Sequence, residues 1–366
     1  MSPNFSGISA ADQAQSYIVA LLKDGNIPAL SEIRFDQGGL EYLRGKAQEQ
    51  GVLVDPGRIA AHTDDGLLQE FWMVSEDVGI TPIDRQDIPG YEFVGMEVAS
   101  RVLKETQFQE VERVYSLIKS RLRTQVNSSC GLHVHVGINH LSLESTKKLV
   151  TLLMILEEQS LFKDICAPHR EYSGWCDPVS EKSRAVMRGS NQARDIINPR
   201  LALHVPQVPF GVSANLRLGL DRIWNCETID AIANETKVHG GYHASKKDPW
   251  CERGGFAIRN DTWGLDIDGE MVLGDVTIEF RYKESTGSAV QDKHWLKLCL
   301  CFVRAAEWSV EQFRRAMRDI HEARDLEGNL ASLGVEESER QWWSRIARHH
   351  REHPYPVRMT QFLAAE

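Results

Sequence analysis

The chain has 366 residues, with 52 acidic against 42 basic side chains and a formal net charge of −10. That balance argues against a nucleic-acid-binding module, which needs a basic excess, and no run approaches the roughly 18 apolar residues of a membrane span. A hydrophobic fraction of 42% with nine Trp supplies a substantial core. Seven Cys form no C-x-x-C pair, and the N-terminal stretch lacks a basic-then-apolar signal pattern. Free thiols in a cytoplasmic protein are the expectation.

Residues 10–23 carry Tyr17, Ile18, Leu21 and Leu22 at helical spacing and stop at Asp24-Gly25-Asn26, which predicts a first helix. Two β-like runs follow at 70–75 and 91–99. A helix is predicted over 109–123 from Val111, Val114, Leu117, Ile118 and Leu122. After a strand at 130–138, a long helix is predicted over 143–165, with Ser142 as N-cap and Leu149, Leu152, Leu153, Leu156 and Leu161 as its apolar stripe. Residues 165–270, rich in Gly, Asn, Asp and Trp, predict long ordered loops. A strand at 276–282 precedes charged amphipathic helices at 303–325 and 335–352. No repeat or linker divides the chain, so one domain over 1–366 is expected, with 306–366 as a helical C-terminal extension.

Three of the strands share one pattern. Successive strand residues face opposite sides, so His133 and His135 point one way while Leu132, Val134 and Val136 point the other. In Thr277-Ile278-Glu279-Phe280-Arg281, Ile278 and Phe280 face the core, and Glu279 shares the other face with Thr277 and Arg281. In Phe93–Ala99, Glu97 projects between Gly95 and Ala99, opposite Val94, Met96 and Val98. Each strand alone reads as ordinary, with one wet face and a surface ion pair worth under about 1 kcal/mol. Together, Glu, His, His, Glu and Arg suit a different face: carboxylates with neutral imidazole favour Mg²⁺ or Mn²⁺, and Arg offers a planar fork for phosphate or carboxylate oxygens. No P-loop, Rossmann fingerprint or nucleophile elbow occurs. Cys130 falls on the strand face opposite His133 and reads as a structural thiol. His349, His350 and His353 read as a solvated helix end.

The string Cys130–Gly137, the later Pro168-His169-Arg170 and Cys176-x-Pro178, the upstream Gly90–Ser100 and the T-I-E-F-R strand at 277–281 together resemble the amidoligase family found largely in filamentous fungi. The resemblance covers about residues 70–305. It implies an α+β fold with a curved antiparallel sheet of glutamine-synthetase type backed by helices. It also implies an ATP-dependent carboxylate–amine ligase that forms an amide or peptide bond through an acyl phosphate, with Mg²⁺ or Mn²⁺. The partners it implies are a small-molecule or peptide carboxylate and an amine, without nucleic acid or membrane. Carried over by position, Glu97, His133 and Glu279 resemble metal ligands; Arg281, Glu97 and Glu279 the catalytic set; and His135, Arg281 and Arg170 the nucleotide contacts. Glu157, Glu158, His169 and Arg170 stay open between lining this site and serving as core ion pairs or a solvated helix face. Tyr242, Lys246, Lys247 and Arg259 are weaker candidates for closing over substrate.

The family usually places a G-x-E-x-E strand, with two metal-binding glutamates, before its first helix. Here the nearest candidate, Ser31-Glu32-Ile33-Arg34-Phe35, follows the first predicted helix and holds one acid. Lys283 departs as well, standing where a polar Gln-His pair often continues the T-I-E-F-R strand. Two readings therefore stand side by side: an active ligase, or a catalytically reduced ligase-like protein that binds nucleotide or metal, or regulates.

Overall fold

The computed structural model describes residues 9–31, 70–80, 93–171, 176–188, 197–206, 212–239, 250–259, 263–265, 271–273, 276–352 and 361–363. Helix α1 (Ala10–Asp24) begins with a capping box, in which the Ser9 side chain accepts from the Asp12 amide while Asp12 answers the Ser9 backbone. Strand β1 (Ala29–Ser31) runs parallel to β2 (Trp72–Glu76), and β3 (Met96–Ala99) pairs antiparallel with β2. Helix α2 (Gln109–Arg121) covers this unit. Ile18, Val19, Leu22, Trp72, Val74 and Val114 fill a small core of its own. The Trp72 indole donates to Glu110 at 2.6 Å, and Arg101 grips the same carboxylate with two bonds of 2.8 Å.

The larger core surrounds a second sheet. After β4 (Thr124–Val126) come β5 (Val134–Gly137), α3 (Leu143–Glu158) and α4 (Leu161–Ile165). The single helix predicted over 143–165 is broken at Ser160, whose φ of +62° leaves the helical region. Helix α3 is buried almost all round, which explains why its apolar stripe is so broad.

Among the described residues between 165 and 270, where long ordered loops are expected, stand the short helices α5 (Pro168–Glu171), α6 (Val179–Lys182), α7 (Arg184–Met187), α8 (Pro199–His204), α9 (Ala214–Asn225) and α10 (Ile229–Thr236). Helix α9 is the clearest correction. Ser213 caps it by accepting from the Leu216 amide, and Leu216, Leu220 and Ile223 are buried at helical spacing.

Strands β6 (Val238–His239) and β7 (Trp250–Cys251) pair, and β8 (Phe256–Arg259) enters the second sheet. A hairpin of β9 (Trp263–Leu265) and β10 (Met271–Leu273) precedes β11 (Thr277–Phe280). The second sheet has the order β5-β11-β8, antiparallel throughout. Its apolar face, from Val134, Phe256, Ile258, Ile278 and Phe280, belongs to the same core as α3 and α11 (Ala289–Ala306). There Phe280 meets Trp295 edge-on at 6.4 Å.

The C-terminal helices α12 (Val310–Glu322), α13 (Leu326–Ser332) and α14 (Glu337–Glu352) are no appendage, since Phe313, Met317 and Trp343 are buried in this core. His350, expected at a solvated helix end, is buried where α14 packs on α4. Strand β12 (Gln361–Leu363) returns to pair with β4. The architecture is thus mixed helix and small sheets, with two hydrophobic cores.

Candidate functional site

The polar face of the β5-β11-β8 sheet carries the chemistry. Glu279 sits directly opposite His135 on β5 and Ala257 on β8. Opposed residues of an antiparallel pair share a face, so alternation along β5 and β11 turns His133, His135, Glu279 and Arg281 to one side, as the sequence predicts. His133 Nδ1 lies 3.4 Å and His135 Nε2 3.6 Å from the same oxygen, Glu279 Oε1. His135 Nδ1 also approaches Thr277 Oγ1 at 3.3 Å.

Two arginines hold Glu279. Arg281 donates to Oε1 at 2.6 Å, while Arg259 directs Nε at 2.7 Å and its terminal nitrogen at 2.6 Å to Oε2. Glu279 is 2% exposed. Burial alone would raise its pKa, but the His135 contact and the charges of Arg281 and Arg259 outweigh it and hold the carboxyl well below the usual range. His133 moves to about 4, first through burial and then through the nearby Arg281 charge, so its imidazole is neutral at neutral pH.

Beside this face opens a cavity of about 370 Å³, walled by Lys237, Trp250, Glu252, Arg253, Arg259 and Arg281. Lys237 Nζ lies 3.4 Å from Glu252, and Arg259 pairs with Glu252 as well as with Glu279. Of these wall residues, sequence reasoning had reached only Arg281 and, weakly, Arg259. The alternation in Phe256-Ala257-Ile258-Arg259 was the available signal for Arg259. Lys237, Glu252 and Arg253 lie on irregular or two-residue segments with no periodicity to read.

Several other predicted residues are placed elsewhere. Glu97 is exposed on β3, opposite Ser75, in the first sheet. Alternation along a strand fixes its faces but not its sheet, which is why Glu97 read as a partner of Glu279. Arg170 is buried, donating to the backbone carbonyls of Arg281 at 2.6 Å and Tyr282 at 3.4 Å, and its guanidinium lies close enough to His133 for its charge to act on that imidazole. Glu157 lies wholly in the core, accepting from the amides of Val179 (3.1 Å) and Ser180 (2.6 Å) and from the Tyr282 hydroxyl. Glu158 accepts from the Ser213 amide at 2.8 Å. His169 is part-buried near a fully buried Lys283–Glu284 pair. Tyr242, Lys246, Lys247 and Glu32 lie outside the described residues.

The residues described do not fit a divalent cation. Among them no three His, Cys, Asp or Glu side chains gather as a cage, and both oxygens of Glu279 are turned to guanidinium groups. Mg²⁺ depends on carboxylates free to face it. What the face offers as it stands is positive charge and imidazole, the equipment for holding an oxyanion.

The β5-β11-β8 sheet thus sets two imidazoles and a carboxylate held by two guanidinium groups beside a cavity. Residues 40–199 match the model of a family described as "Putative amidoligase enzyme"; the matched stretch is similar to that family and includes His133 and His135. The match ends before β8 and β11, so Glu279, Arg259 and Arg281 rest on geometry. No curated protein and no solved structure matches the chain. No helix among the described residues is long and apolar enough to cross a membrane, and all seven cysteines are free thiols.

Proposed function

We propose that the protein is an ATP-dependent carboxylate–amine ligase. The observation that carries the proposal is the union, on one sheet, of the histidine strand from the family-matched stretch with Glu279 and with Arg281, which lines the cavity. A carboxylate resists attack by an amine until one oxygen becomes a good leaving group. In the proposed reaction the γ-phosphoryl of ATP passes to a substrate carboxylate oxygen, giving ADP and an acyl phosphate. The amine then attacks the carbonyl carbon, the C–O bond to phosphate breaks, and phosphate leaves with the electron pair as the amide forms. Such a sequence develops negative charge on phosphoryl and carbonyl oxygens, which preorganised donors stabilise in a water-poor site.

Arg281 is the group assigned to those oxygens. It is held for the task from both sides, by Glu279 on its guanidinium and by Arg170 on its carbonyl. His135, half-exposed beside Glu279, is the imidazole open to a ligand. Incubation with ATP, Mg²⁺, hydroxylamine and a panel of amino acids and dicarboxylates should release ADP and form hydroxamate. Arg281→Ala should lower that turnover at least a hundredfold, the scale of losing one charge-stabilising donor. Absence of hydroxamate with every acid, from a protein that binds nucleotide, overturns the ligase reading.

A second reading has its own observation. Glu97 stands in the other sheet and Glu279 is bound by two arginines, which favours a catalytically reduced nucleotide-binding or regulatory protein. Calorimetry with MgATP separates the two: binding without turnover, unchanged by Glu97→Ala, supports this reading.

A further inference from the structure

Glu157, a buried carboxylate in the last turn of α3, takes no part in the reaction above. Three donors converge on it: the Val179 amide at 3.1 Å and the Tyr282 hydroxyl on Oε1, and the Ser180 amide at 2.6 Å on Oε2. These donors lead to Arg281 by two routes. Tyr282 is its chain neighbour. The Val179 and Ser180 amides open α6, and Asp177, just before that helix, donates its amide to the Arg253 carbonyl at 3.1 Å and accepts from the Gly255 amide at 2.8 Å. The Gly255 carbonyl in turn accepts from the Arg281 amide at 2.8 Å.

A carboxylate accepts from all three donors at once. A carboxylic acid carries a hydrogen that needs an acceptor of its own, and of the three partners only the Tyr282 hydroxyl can accept. Protonation therefore turns that hydroxyl from donor to acceptor and takes from its hydrogen the partner it now has. The ring cannot follow, because Phe162 stacks on it at 3.7 Å. We propose that Glu157 is a positioning residue for Arg281: its carboxylate fixes the 177–180 segment and Tyr282 in the arrangement that sets the Arg281 backbone, and its protonation releases them. Burial presses a proton onto Glu157 while the three donors press it off, and the carboxyl titrates at about 7, where a single proton switches the arrangement near neutral pH. The other ionisable groups of this pocket, the Tyr282 hydroxyl and the thiols of Cys176 and Cys166, are all pushed up by burial and stay neutral in that range. The role rests on the ligase reading in that Arg281 is the group assigned to the reacting oxygens, but the coupling is read without turnover.

The test follows the backbone amides of Ser180, Gly255 and Arg281 by NMR in the isotope-labelled full chain, across the pH range that brackets the Glu157 midpoint. All three are expected to share one midpoint at about 7. Glu157→Gln is expected to abolish that shared shift. Tyr282→Phe removes one donor to the charged form and is expected to raise the midpoint by about one pH unit. A Ser180 shift that Gly255 and Arg281 do not follow, a shared shift that persists in Glu157→Gln, or a midpoint unmoved in Tyr282→Phe overturns the role. In the hydroxamate assay, the ratio of wild-type to Glu157→Gln turnover is expected to rise about tenfold from about pH 6 to pH 8, as the ionised fraction does for one group titrating at about 7. Taking the ratio removes the ionisation of hydroxylamine itself. A flat ratio keeps the ligase and loses the positioning role. Shared amide shifts without hydroxamate from any acid keep the coupling and lose the ligase.

Discussion

Neutralising Glu279 would leave Arg259 and Arg281 facing each other beside the cavity without the anion that now lies between them. Removing one partner of a buried ion pair typically costs about 3–5 kcal/mol. Because Arg259 is partly exposed, Glu279→Gln should fall near the lower end, read as a drop in urea midpoint with the slope unchanged. The pH dependence has a definite sign. The carboxyl's pKa is depressed in the fold, so its contribution is present above the ordinary carboxylate range and is lost as pH falls. His350 follows the same direction, since burial above all holds its pKa at about 4 against about 6.5 in water. Its contribution is full above about pH 6.5 and lost toward pH 4, at most about 3 kcal/mol. His350→Leu should therefore flatten the stability profile across that window in equilibrium urea titrations. An unchanged acid slope would remove His350 from the account.

At the scale of elements, alternation carried the furthest. The faces of β5 and β11 were legible because each residue step flips the side chain, and the register Glu279↔His135 fulfils that pattern. The partition of strands between the β1-β2-β3 and β5-β11-β8 sheets was not legible, because long-range pairing leaves no local trace; Glu97 falls in the first and Glu279 in the second. Helix α9 has its signal in the sequence, the Ser213 cap and the Leu216, Leu220, Ile223 spacing, set in a stretch rich in Gly and Asn. The break at Ser160, with its φ of +62°, had no Gly or Pro to mark it. The site also depends on a close approach that no periodicity reveals. A Cβ on Gly255 would lie 2.0 Å from the Tyr282 ring, which cannot retreat because Phe162 stacks on its other face at 3.7 Å. The Gly255 carbonyl accepts from the Arg281 amide at 2.8 Å, so the clash reaches Arg281. Gly255→Ala should cost about 3 kcal/mol and lower the hydroxamate turnover assigned to Arg281. Gly137→Ala, with open space around its Cβ position, should change stability by less than about 0.5 kcal/mol. Equal effects at both positions would contradict the packing argument.

The whole molecule rests on two unequal cores, a small one around α1, α2 and the first sheet and a large one around the second. Stability scales with buried apolar surface, so the small unit should open at lower free energy than the large one unless the joint between them is strong. Among the described residues, polar contacts cross the joint. Lys293–Glu112 at 3.0 Å and Arg304–Glu105 at 2.5 Å are exposed pairs, each worth about 0–1 kcal/mol. A buried element of the joint is the Tyr115 hydroxyl on α2, which donates to Asp292 on α11. Burial raises the pKa of Asp292 to about 6, with the Tyr115 bond opposing that rise. Tyr115→Phe strips a buried carboxylate of a donor, at a cost of about 1–3 kcal/mol, and raises the Asp292 pKa further. Native-state hydrogen exchange reads the consequence directly. Amides of Val19, Leu22 and Val74 should exchange through a smaller opening free energy than those of Leu152, Leu153 and Ile278, and Tyr115→Phe should widen the gap. Equal opening energies in the wild type, unchanged in the variant, would mean that one cooperative unit spans both cores and that the Tyr115–Asp292 bond is incidental to their union.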